Sequence, residues 1–597
     1  MCGFVGSVSA DALAATPPHT LRTLTARLGH RGPDDEGFYR DQHAAIGFRR
    51  LAVLDPTPAG QQPMRSHSGR YHLVFNGEIY NHVELAEELA GRGVRLRSRS
   101  DTEVLLELFA VMGPDVLSVL RGMFAFAIWD TVESRLFAAR DPFGIKPFLY
   151  SCREGVLRFA SEKKALVELG DHGQLETASL RRYLTLQYVP APATMSPQVQ
   201  VLPAGQLLTF RPGGPVETAR YWRPRLTPAA RPAADTPRRI LDAVADSVRL
   251  HLRSDVPLGA FLSGGIDSAA ICALAAVHRP DLRTFTVGFE QEGYSEIERA
   301  QETAAALGVH SSVHVITAEE FLAQLPRIVW HLDEPFADAA AVALWFLARQ
   351  ARRQVKVVLS GEGADELFGG YHVYRDPAEE APHYLGADQV YVDGEVDTVA
   401  VPRRGSAREV TAPVHRQARR WGLDEVATRQ LVDLNLWLPG DILTKADRMT
   451  MAHGLELRVP FLDREVMAVA ADLAREDKIG GGTTKLALRR AVAGLLPAAV
   501  TNRAKLGFPV PIRFWLRDEL YPFVEQLFRQ AQTERYINRA VALDLLERYR
   551  RGEEFDWRRL WVLVCFSLWH QVHVEGRYDP VALGWVDGPG ENGIRSR

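Results

Sequence analysis

The stretch SGGIDS, residues 263–268, follows a short apolar run and precedes an alanine-rich helical run. A glycine-rich turn between a strand and a helix lets backbone amides approach an anion, and the helix N-terminus adds positive potential. Ser263 and Ser268 can donate hydrogen bonds to phosphate oxygens. Asp267 would repel a phosphate unless a divalent cation lay between them. The stretch therefore predicts a phosphate-binding loop with Asp267 as a candidate Mg²⁺ ligand.

A second loop of the same kind, SGEGADE, occupies residues 360–366 after a β-branched run. Neither loop contains the GK[ST] of a Walker loop or the GxGxxG of a dinucleotide-binding turn. Either loop alone could be an ordinary tight turn between strand and helix. Two Ser-Gly loops that carry Asp267 and Asp365, both at strand ends, favour a nucleotide site.

Strand, loop and helix patterns alternate from about residue 238, on both sides of these loops, which predicts an α/β domain with a parallel sheet. The first ~210 residues mix short β-like runs with helical stretches, which indicates an α+β domain with an antiparallel core. A proline-rich segment between them interrupts all periodicity. The predicted division is domain 2–212, linker 213–237, domain 238–580 and flexible tail 581–597.

Cys2 stands directly behind Met1 and becomes the first residue once Met1 is removed, as we expect before a small second residue. The α-amino group of an N-terminal cysteine, with a pKa near 8, lies within reach of the thiol. Nucleophile and base then come from one residue. A lone cysteine here could also be a buried apolar residue of a first strand.

Three further segments favour the nucleophile. Arg50 supplies a guanidinium that can bind a carboxylate through two hydrogen bonds. The side-chain amide of Asn76 and the backbone N–H of Gly77 are donors of the kind that an oxyanion hole requires. Glu78 and Asp101 offer carboxylates for an ammonium group. Each residue alone could be an ordinary solvated or structural polar group.

Composition excludes several classes of protein. The chain of 597 residues carries 71 Lys and Arg against 74 Asp and Glu, a formal charge of -3, which disfavours a nucleic-acid partner. Its 4 cysteines are far apart and show no CxxC spacing, so neither a disulfide framework nor a zinc site is indicated. Without a long apolar run or a signal-peptide pattern, the sequence predicts a cytoplasmic protein with no membrane partner.

The motifs carry family resemblances. SGGIDS resembles the loop of the PP-loop ATP pyrophosphatases. Cys2 with its companion segments and HRGPD (30–34) resembles the class II glutamine amidotransferase domain, an N-terminal-nucleophile αββα sandwich. Both halves together resemble the glutamine-dependent asparagine synthetase family over nearly the whole chain. Further matches are KADRMTM (445–451), GLELRVPFLD (454–463), KLALR (485–489) and RAKLGF (503–508).

The resemblance implies two sites. In the first, Cys2 attacks the side-chain amide of glutamine, Asn76 and Gly77 stabilise the tetrahedral intermediate, and Arg50, Glu78 and Asp101 hold the amino-acid end. In the second, a carboxylate attacks ATP, pyrophosphate leaves with Mg²⁺, and ammonia displaces AMP. The implied ATP-binding residues are Leu262, Ser263, Gly264, Gly265, Asp267, Ser268, Val287, Ser360 and Gly361. The implied Mg²⁺ ligands are Asp267 and Asp365, with Lys485 near the α-phosphate and Glu362 in adenylate formation or ammonia capture.

The carboxylate acceptor stays open. Aspartate is the usual acceptor of the family, but Ala339 and Ala340 stand where relatives often place Pro-Ser, and region 376–408 is idiosyncratic. The alternative is amidation of a peptide, a sugar acid or a specialised metabolite. A β-lactam-forming relative, a catalytically silent sensor and a nucleic-acid-modifying PP-loop enzyme are disfavoured. The resemblance also implies an apolar ammonia passage of unidentified lining, and a homodimer is one assembly that the sequence leaves open.

Overall fold

The computed structural model describes residues 2–167, 174–375, 384–503, 507 and 509–585. Four predictions fall wholly or partly outside the described residues. These are the removal of Met1, the start of region 376–408, most of the motif 503–508, and residues 586–597 of the predicted tail.

The first 220 residues form two antiparallel sheets. Their strands are β1 (Cys2–Val8), β2 (Asp35–Arg40), β3 (Ala44–Arg50), β4 (Met64–Arg65), β5 (Tyr71–Ile79), β6 (Gly122–Asp130), β7 (Arg135–Arg140), β8 (Leu149–Arg153), β9 (Val156–Ala160), β10 (Gln200–Val201), β11 (Gln206–Phe210) and β12 (Glu217–Arg220). One sheet has the order β10-β8-β9-β1-β3-β2 and the other β12-β11-β7-β6-β5-β4. Cys2 thus begins a central strand of the first sheet.

The two sheets pack face to face, with Phe4 and Phe48 of one meeting Val74 and Trp129 of the other in a buried core. The helices are α1 (Ala12–Ala15), α2 (Pro18–Ala26), α3 (His82–Gly91), α4 (Asp101–Met112) and α5 (Thr177–Leu186). Apolar residues of α2 cover the outer face of the first sheet, and those of α3 and α4 cover the outer face of the second. The predicted αββα sandwich is confirmed.

The second half is built on a parallel sheet of five strands. They are β13 (Leu258–Phe261), β14 (Arg283–Phe289), β15 (His310–Ile316), β16 (Val357–Leu359) and β17 (Glu456–Arg458), in the order β15-β14-β13-β16-β17, and a separate pair is β18 (Ile479–Gly480) with β19 (Thr483–Thr484). The first Ser-Gly loop follows β13 and the second follows β16, and β13 pairs in parallel with β16. Both loops therefore emerge at the same edge of the sheet, as predicted.

Helices surround this sheet. They are α6 (Thr236–His251), α7 (Ile266–His278), α8 (Ile297–Leu307), α9 (Ala318–Leu332), α10 (Ala340–Arg352), α11 (Ala364–Phe368), α12 (Asp393–Val399), α13 (Arg408–Arg420), α14 (Glu425–Val432), α15 (Leu443–Met451), α16 (Arg464–Ala471), α17 (Arg475–Lys478), α18 (Leu486–Val492), α19 (Ala498–Thr501), α20 (Ile512–Trp515), α21 (Tyr521–Gln530), α22 (Arg539–Arg550) and α23 (Arg558–Trp569). Two π-helical segments, Asp433–Ile442 and His570–Val574, interrupt the α-helical pattern. The α/β prediction for this half is confirmed.

The structure differs from the expected linker. Strand β12 lies inside segment 213–237 and pairs with β11, and Thr227 N and Ala229 N donate to carbonyl oxygens next to the C-terminus of α16. Strand β12 is only four residues long and contains no proline, but Pro215 and Pro224 flank it, so the proline-rich composition of the segment hid it. The domain boundaries themselves stay a prediction.

One apolar core joins the two halves. It includes Leu51, Val53, Tyr80, Met123 and Ile145 from the sandwich together with Leu455, Leu457 and Phe461 from the second half. Residues that approach each other across the halves are therefore held by a continuous packed interior. Among the described helices, none combines the length and the apolar character that crossing a membrane requires.

Candidate active site

The first site lies at the N-terminal end of β1. Cys2 is 6% exposed, and its backbone N donates a 2.9 Å hydrogen bond to Asn76 Oδ1 on β5 of the opposite sheet. Asn76 Nδ2 is buried and lacks a hydrogen-bond partner in the described part of the chain. An unused buried donor is costly unless a ligand accepts from it. Burial raises the pKa of the Cys2 thiol, although Arg50 lowers it, so the thiol needs a base.

The glycine beside Asn76 is required by packing. A Cβ added to Gly77 would lie 2.1 Å from Met123 O on the neighbouring strand β6. Arg50, which lies opposite Cys2 in the β1–β3 register, is held by backbone carbonyls: Nη1 donates to Thr57 O at 2.9 Å and Nη2 donates to Asp55 O at 2.5 Å. The guanidinium is thus fixed next to the cysteine before any ligand binds.

Two carboxylates converge in the same site. Glu78 and Asp101 are 3% and 4% exposed, and the pKa of each is raised, first by burial and for Glu78 also by the charge of Asp101. Glu78 Oε2 lies 3.3 Å from Arg458 Nη2 of the second half. Because burial and the charge of Asp101 disfavour the ionised form of Glu78, a ligand cation beside these carboxylates would be stabilised.

The second site is a cavity of about 460 Å³ at the edge of the parallel sheet where both Ser-Gly loops emerge. Within the first loop, Ser263 Oγ lies 3.0 Å from Ser268 Oγ, and Gly265 N donates to Ser263 Oγ at 3.1 Å. A Cβ on Gly361 would lie 3.0 Å from Asp267 Cβ, so the two loops are in contact. Hydroxyls and amides thus surround one end of the cavity.

Lys485 lies between the two aspartates predicted as metal ligands. Its Nζ is 2.5 Å from Asp267 Oδ2 and 2.7 Å from Asp365 Oδ1. A Cβ on Gly370 would lie 1.9 Å from Asp365 Oδ1 and 2.0 Å from Lys485 Cε, so the group is closely enclosed. Two converging carboxylates supply the oxygen ligands that Mg²⁺ prefers, and its remaining ligands would be phosphate oxygens and water. The residues present therefore fit Mg²⁺ bound with a nucleotide.

Comparison with known proteins places the chain in a family. The family model described as Asparagine synthase matches residues 239–571, and the model described as Glutamine amidotransferase domain matches residues 1–222. The chain belongs to the asparagine synthase family. The resemblance predicted from the motifs is thereby confirmed.

Curated members of this family match over almost the whole chain. The sequence is 40% identical to Asparagine synthetase (glutamine-hydrolyzing) 1 of Bacillus subtilis, with 98% of each chain covered. It is 44% identical to the Putative asparagine synthetase (glutamine-hydrolyzing) of Mycobacterium tuberculosis, over 96% of this chain and 98% of that protein. Asparagine synthetase B (glutamine-hydrolyzing) of Escherichia coli is 30% identical over 89% of this chain and 86% of its own length.

Most residues predicted for the nucleotide site of this family line the one cavity. They are Leu262, Ser263, Gly265, Asp267, Ser268, Val287, Ser360, Gly361, Glu362, Asp365 and Lys485. Gly264 belongs to the loop but is not among the residues that line the cavity, and a Cβ added to it would meet the side chains of Arg299 and Glu296. Which of these residues contact substrate stays a prediction.

Several polar residues at this cavity were not predicted to have a role there. Asp338, Glu296 and Arg503 line it, and so does Lys445, whose Nζ is 2.6 Å from Asp338 Oδ2 and 2.9 Å from Asp441 Oδ2. Arg503 Nη1 donates to Gly264 O at 3.1 Å. Lys445 and Arg503 lie in segments quoted from the sequence, but no spacing links either of them to Asp338 or Glu296, which are more than 100 positions away. Only the fold brings them together.

Proposed function

We propose that the chain is a glutamine-dependent asparagine synthetase. It would convert glutamine, aspartate, ATP and water into asparagine, glutamate, AMP and pyrophosphate. One observation supports this most strongly: a single chain holds Cys2 against Asn76 in a sandwich, and two Ser-Gly loops around one cavity, with a continuous apolar core between them. The names of the relatives support the same activity.

In the first half-reaction, Cys2 Sγ attacks the amide carbon of glutamine. The amine of Cys2, free once Met1 is gone and oriented by Asn76 Oδ1, accepts the thiol proton and returns it to the departing ammonia. Asn76 Nδ2 and the Gly77 N–H donate to the oxyanion. Water then hydrolyses the thioester to glutamate. Arg50 binds the carboxylate of glutamine, while Glu78 and Asp101 bind its ammonium group.

In the second half-reaction, the acceptor carboxylate attacks the α-phosphorus of ATP and pyrophosphate leaves. Lys485, whose pKa is raised by Asp267 and Asp365 despite burial, stays cationic and neutralises charge that develops on the phosphate. Bound Mg²⁺ would neutralise the pyrophosphate. Ammonia then displaces AMP. The pKa of Glu362 is raised by burial, which suits this carboxylate to accept the proton that the attacking nitrogen loses.

Ammonia must travel between the sites without protonation, because ammonium is no nucleophile. The apolar core shared by Leu51, Val53 and Ile145 with the second half supports an unprotonated route. Free ammonia in neutral water would mostly become ammonium, so a closed route raises the yield of amide per glutamine hydrolysed.

The decisive assay uses the purified protein with glutamine, ATP, Mg²⁺ and aspartate, and measures asparagine, glutamate, AMP and pyrophosphate. We expect all four products, with AMP formation dependent on aspartate. Glutamate release without aspartate-dependent AMP would sink the asparagine assignment and leave an amidotransferase of another carboxylate.

Replacing Cys2 tests whether the glutamine site and the synthetase site carry out separate reactions. Cys2→Ala should abolish glutamine-dependent asparagine formation, at least 10³-fold, since no other group can form the thioester. Activity with ammonium chloride should stay within about twofold of wild type, because the second cavity is intact. Equal loss with both nitrogen sources would contradict the proposal of separate sites.

A further inference from the structure

The side chain of Arg458 reaches from the second half into the glutamine site. Arg458 is the last residue of β17, the edge strand of the parallel sheet, and it is 0% exposed. Glu456 and Arg458 lie two positions apart in this strand and so share one face, while Leu457 between them belongs to the apolar core. Arg458 Nη2 lies 3.3 Å from Glu78 Oε2 of the sandwich. The synthetase half therefore supplies a buried cation to the glutaminase half.

Two backbone carbonyls and one carboxylate hold the Arg458 guanidinium in place. Its Nη1 donates to His251 O and to Arg253 O, each at 2.6 Å, and its Nε donates to Glu456 Oε1 at 2.6 Å. Within the described part of the chain Nη2 forms no hydrogen bond, and it faces Glu78. Because the other two nitrogens are anchored, Nη2 has little freedom to move away from this carboxylate.

Arg458 favours the charged form of Glu78. Burial is the main cause that raises the pKa of Glu78, and the charge of Asp101 is the next. Arg458 is the largest cause that lowers this pKa; the amino terminus adds to its effect and Glu456 opposes it. Counting Glu78 itself, three carboxylates face two cations. One negative charge is thus left for the ammonium group of a ligand to neutralise.

Glu78 also keeps one oxygen for a ligand. Its Oε2 faces Arg458, whereas its Oε1 is buried and has no hydrogen-bond partner among the described residues. The neighbouring Asp101 already uses Oδ2 to accept from Ile79 N at 2.9 Å. A buried carboxylate oxygen without a donor is stabilised when an ammonium group donates to it, and the hydrogen bond is stronger when the carboxylate is ionised.

We propose that Arg458 is a positioning residue of the glutamine site, which holds Glu78 ionised and oriented toward the α-ammonium group of glutamine. This rests on the proposed function and adds that the glutamine site is complete only when β17 of the synthetase half lies against the sandwich. Arg458 acts through Glu78 and not on the reacting amide. Its contribution is selectivity for a substrate that carries an ammonium group.

The test compares glutamine with glutaramate, which has the same amide and the same carboxylate but lacks the α-ammonium group. Ammonia release gives kcat and KM for both substrates. The variant Arg458→Met is made in a Glu456→Gln background, so that no buried charge is left without its partner. Relative to that background, we expect the preference for glutamine, as the ratio of the two kcat/KM values, to fall at least ~10-fold, as for loss of a hydrogen bond between charged groups. The fall should come from the KM for glutamine.

Three further variants serve as references. Glu456→Gln alone keeps Arg458 and should stay within about threefold of the wild-type preference. Glu78→Gln should lose the preference at least ~10-fold, since it removes the charge through which Arg458 acts. The matched control is Arg121→Met with Asp463→Asn, which removes another ion pair that joins the halves, at 3.1 Å. We expect this control to leave the preference unchanged. Circular dichroism and the urea midpoint report whether each variant is folded.

The outcomes separate the two claims. If Arg458→Met lowers kcat/KM for both substrates by the same factor, Arg458 has a purely structural role and the proposal is overturned. It is overturned equally if Glu78→Gln keeps the wild-type preference, a result that does not require the Arg458 variant to fold. If the wild-type protein releases no ammonia from glutamine, the proposed function fails first, before any variant is compared.

Discussion

Lys485 has a backbone φ of 55°, a left-handed conformation that costs a non-glycine residue free energy. This conformation begins α18 and lets the side chain reach Asp267 and Asp365. Sequence reasoning found all three residues because the two aspartates lie in contiguous loops and the lysine lies in a recognisable segment. It did not predict that Asp338 lines the same cavity, because its partner Lys445 is 107 positions away.

Glu296 predicts a pH dependence at the residue scale. Burial raises the pKa of Glu296 from 4.5 to about 6, although the backbone of Gly264 and the charges of Arg299 and Arg503 lower it. An acid with a raised pKa is neutral below that value and charged above it. Its negative charge near the phosphate loop should therefore raise the KM for ATP between about pH 5 and pH 7. In Glu296→Gln the ratio of the KM for ATP at pH 7 to that at pH 5 should be about threefold smaller than in wild type. The KM is measured by pyrophosphate release with ammonium as the nitrogen source.

The titration of ATP itself is common to every variant, so the difference between profiles isolates Glu296. Glu298→Gln is the control, since Glu298 is exposed, lies two residues from Glu296 and does not line the cavity. Superimposable profiles for Glu296→Gln and wild type would show that Glu296 does not act on ATP binding.

Elements with a strong pattern were predictable, and those decided by tertiary contacts were not. Strands β5 and β6 and helix α4 follow clear apolar runs, and these are the β-like and helical stretches that the sequence predicts for the first half. The π-helical segment Asp433–Ile442 was not predictable. It contains Pro439, which cannot donate a backbone hydrogen bond, and its apolar residues follow no helical period. Trp437 of this segment lines the cavity, and tertiary packing rather than local sequence places it there.

The π-helical segment carries the prediction at the scale of elements. A Cβ on Gly440 would lie 2.2 Å from Cε2 of the buried Tyr188 ring. Gly440→Ala should lower the free energy of unfolding by about 1–3 kcal/mol, the usual cost of overpacking, as a shift of the urea midpoint. Gly494→Ala is the matched control because nothing lies within 4 Å of its added Cβ, and we expect a change within about 0.5 kcal/mol. Equal midpoints for the two variants would refute the close contact.

Across the whole molecule, buried ions join the halves. Arg31 of the sandwich binds Asp447 of α15 through two hydrogen bonds, at 2.8 and 3.1 Å, and Lys146 Nζ lies 3.3 Å from the same carboxylate. All three side chains are buried. The two-domain architecture was predictable because each half carries its own motifs. This interface was not, because nothing in either half indicates which charged residues face the other.

Asp447 accepts from both Arg31 and Lys146, so removing its charge tests how much this interface contributes to stability. Asp447→Asn leaves the buried charges of Arg31 and Lys146 under-compensated, and we expect a loss of about 3–5 kcal/mol in unfolding free energy. The ratio of glutamate to asparagine produced should also rise as the halves lose alignment. Asp246→Asn is the control, since Asp246 pairs with Arg121 across the halves but is more exposed and shares that partner with Asp463. A loss of the same size in both variants would contradict a special role for the buried cluster.

Arg458 touches both sites at once: its carbonyl oxygen accepts from Ser360 N of the second Ser-Gly loop at 2.9 Å, and its guanidinium faces Glu78. A ligand bound at either site can therefore affect the other site through Arg458. Thermodynamic linkage makes any such influence symmetrical. If bound nucleotide changes the affinity for glutamine by some factor, bound glutamine must change the affinity for nucleotide by the same factor. A titration of one ligand, with and without the other, therefore gives the coupling free energy for both.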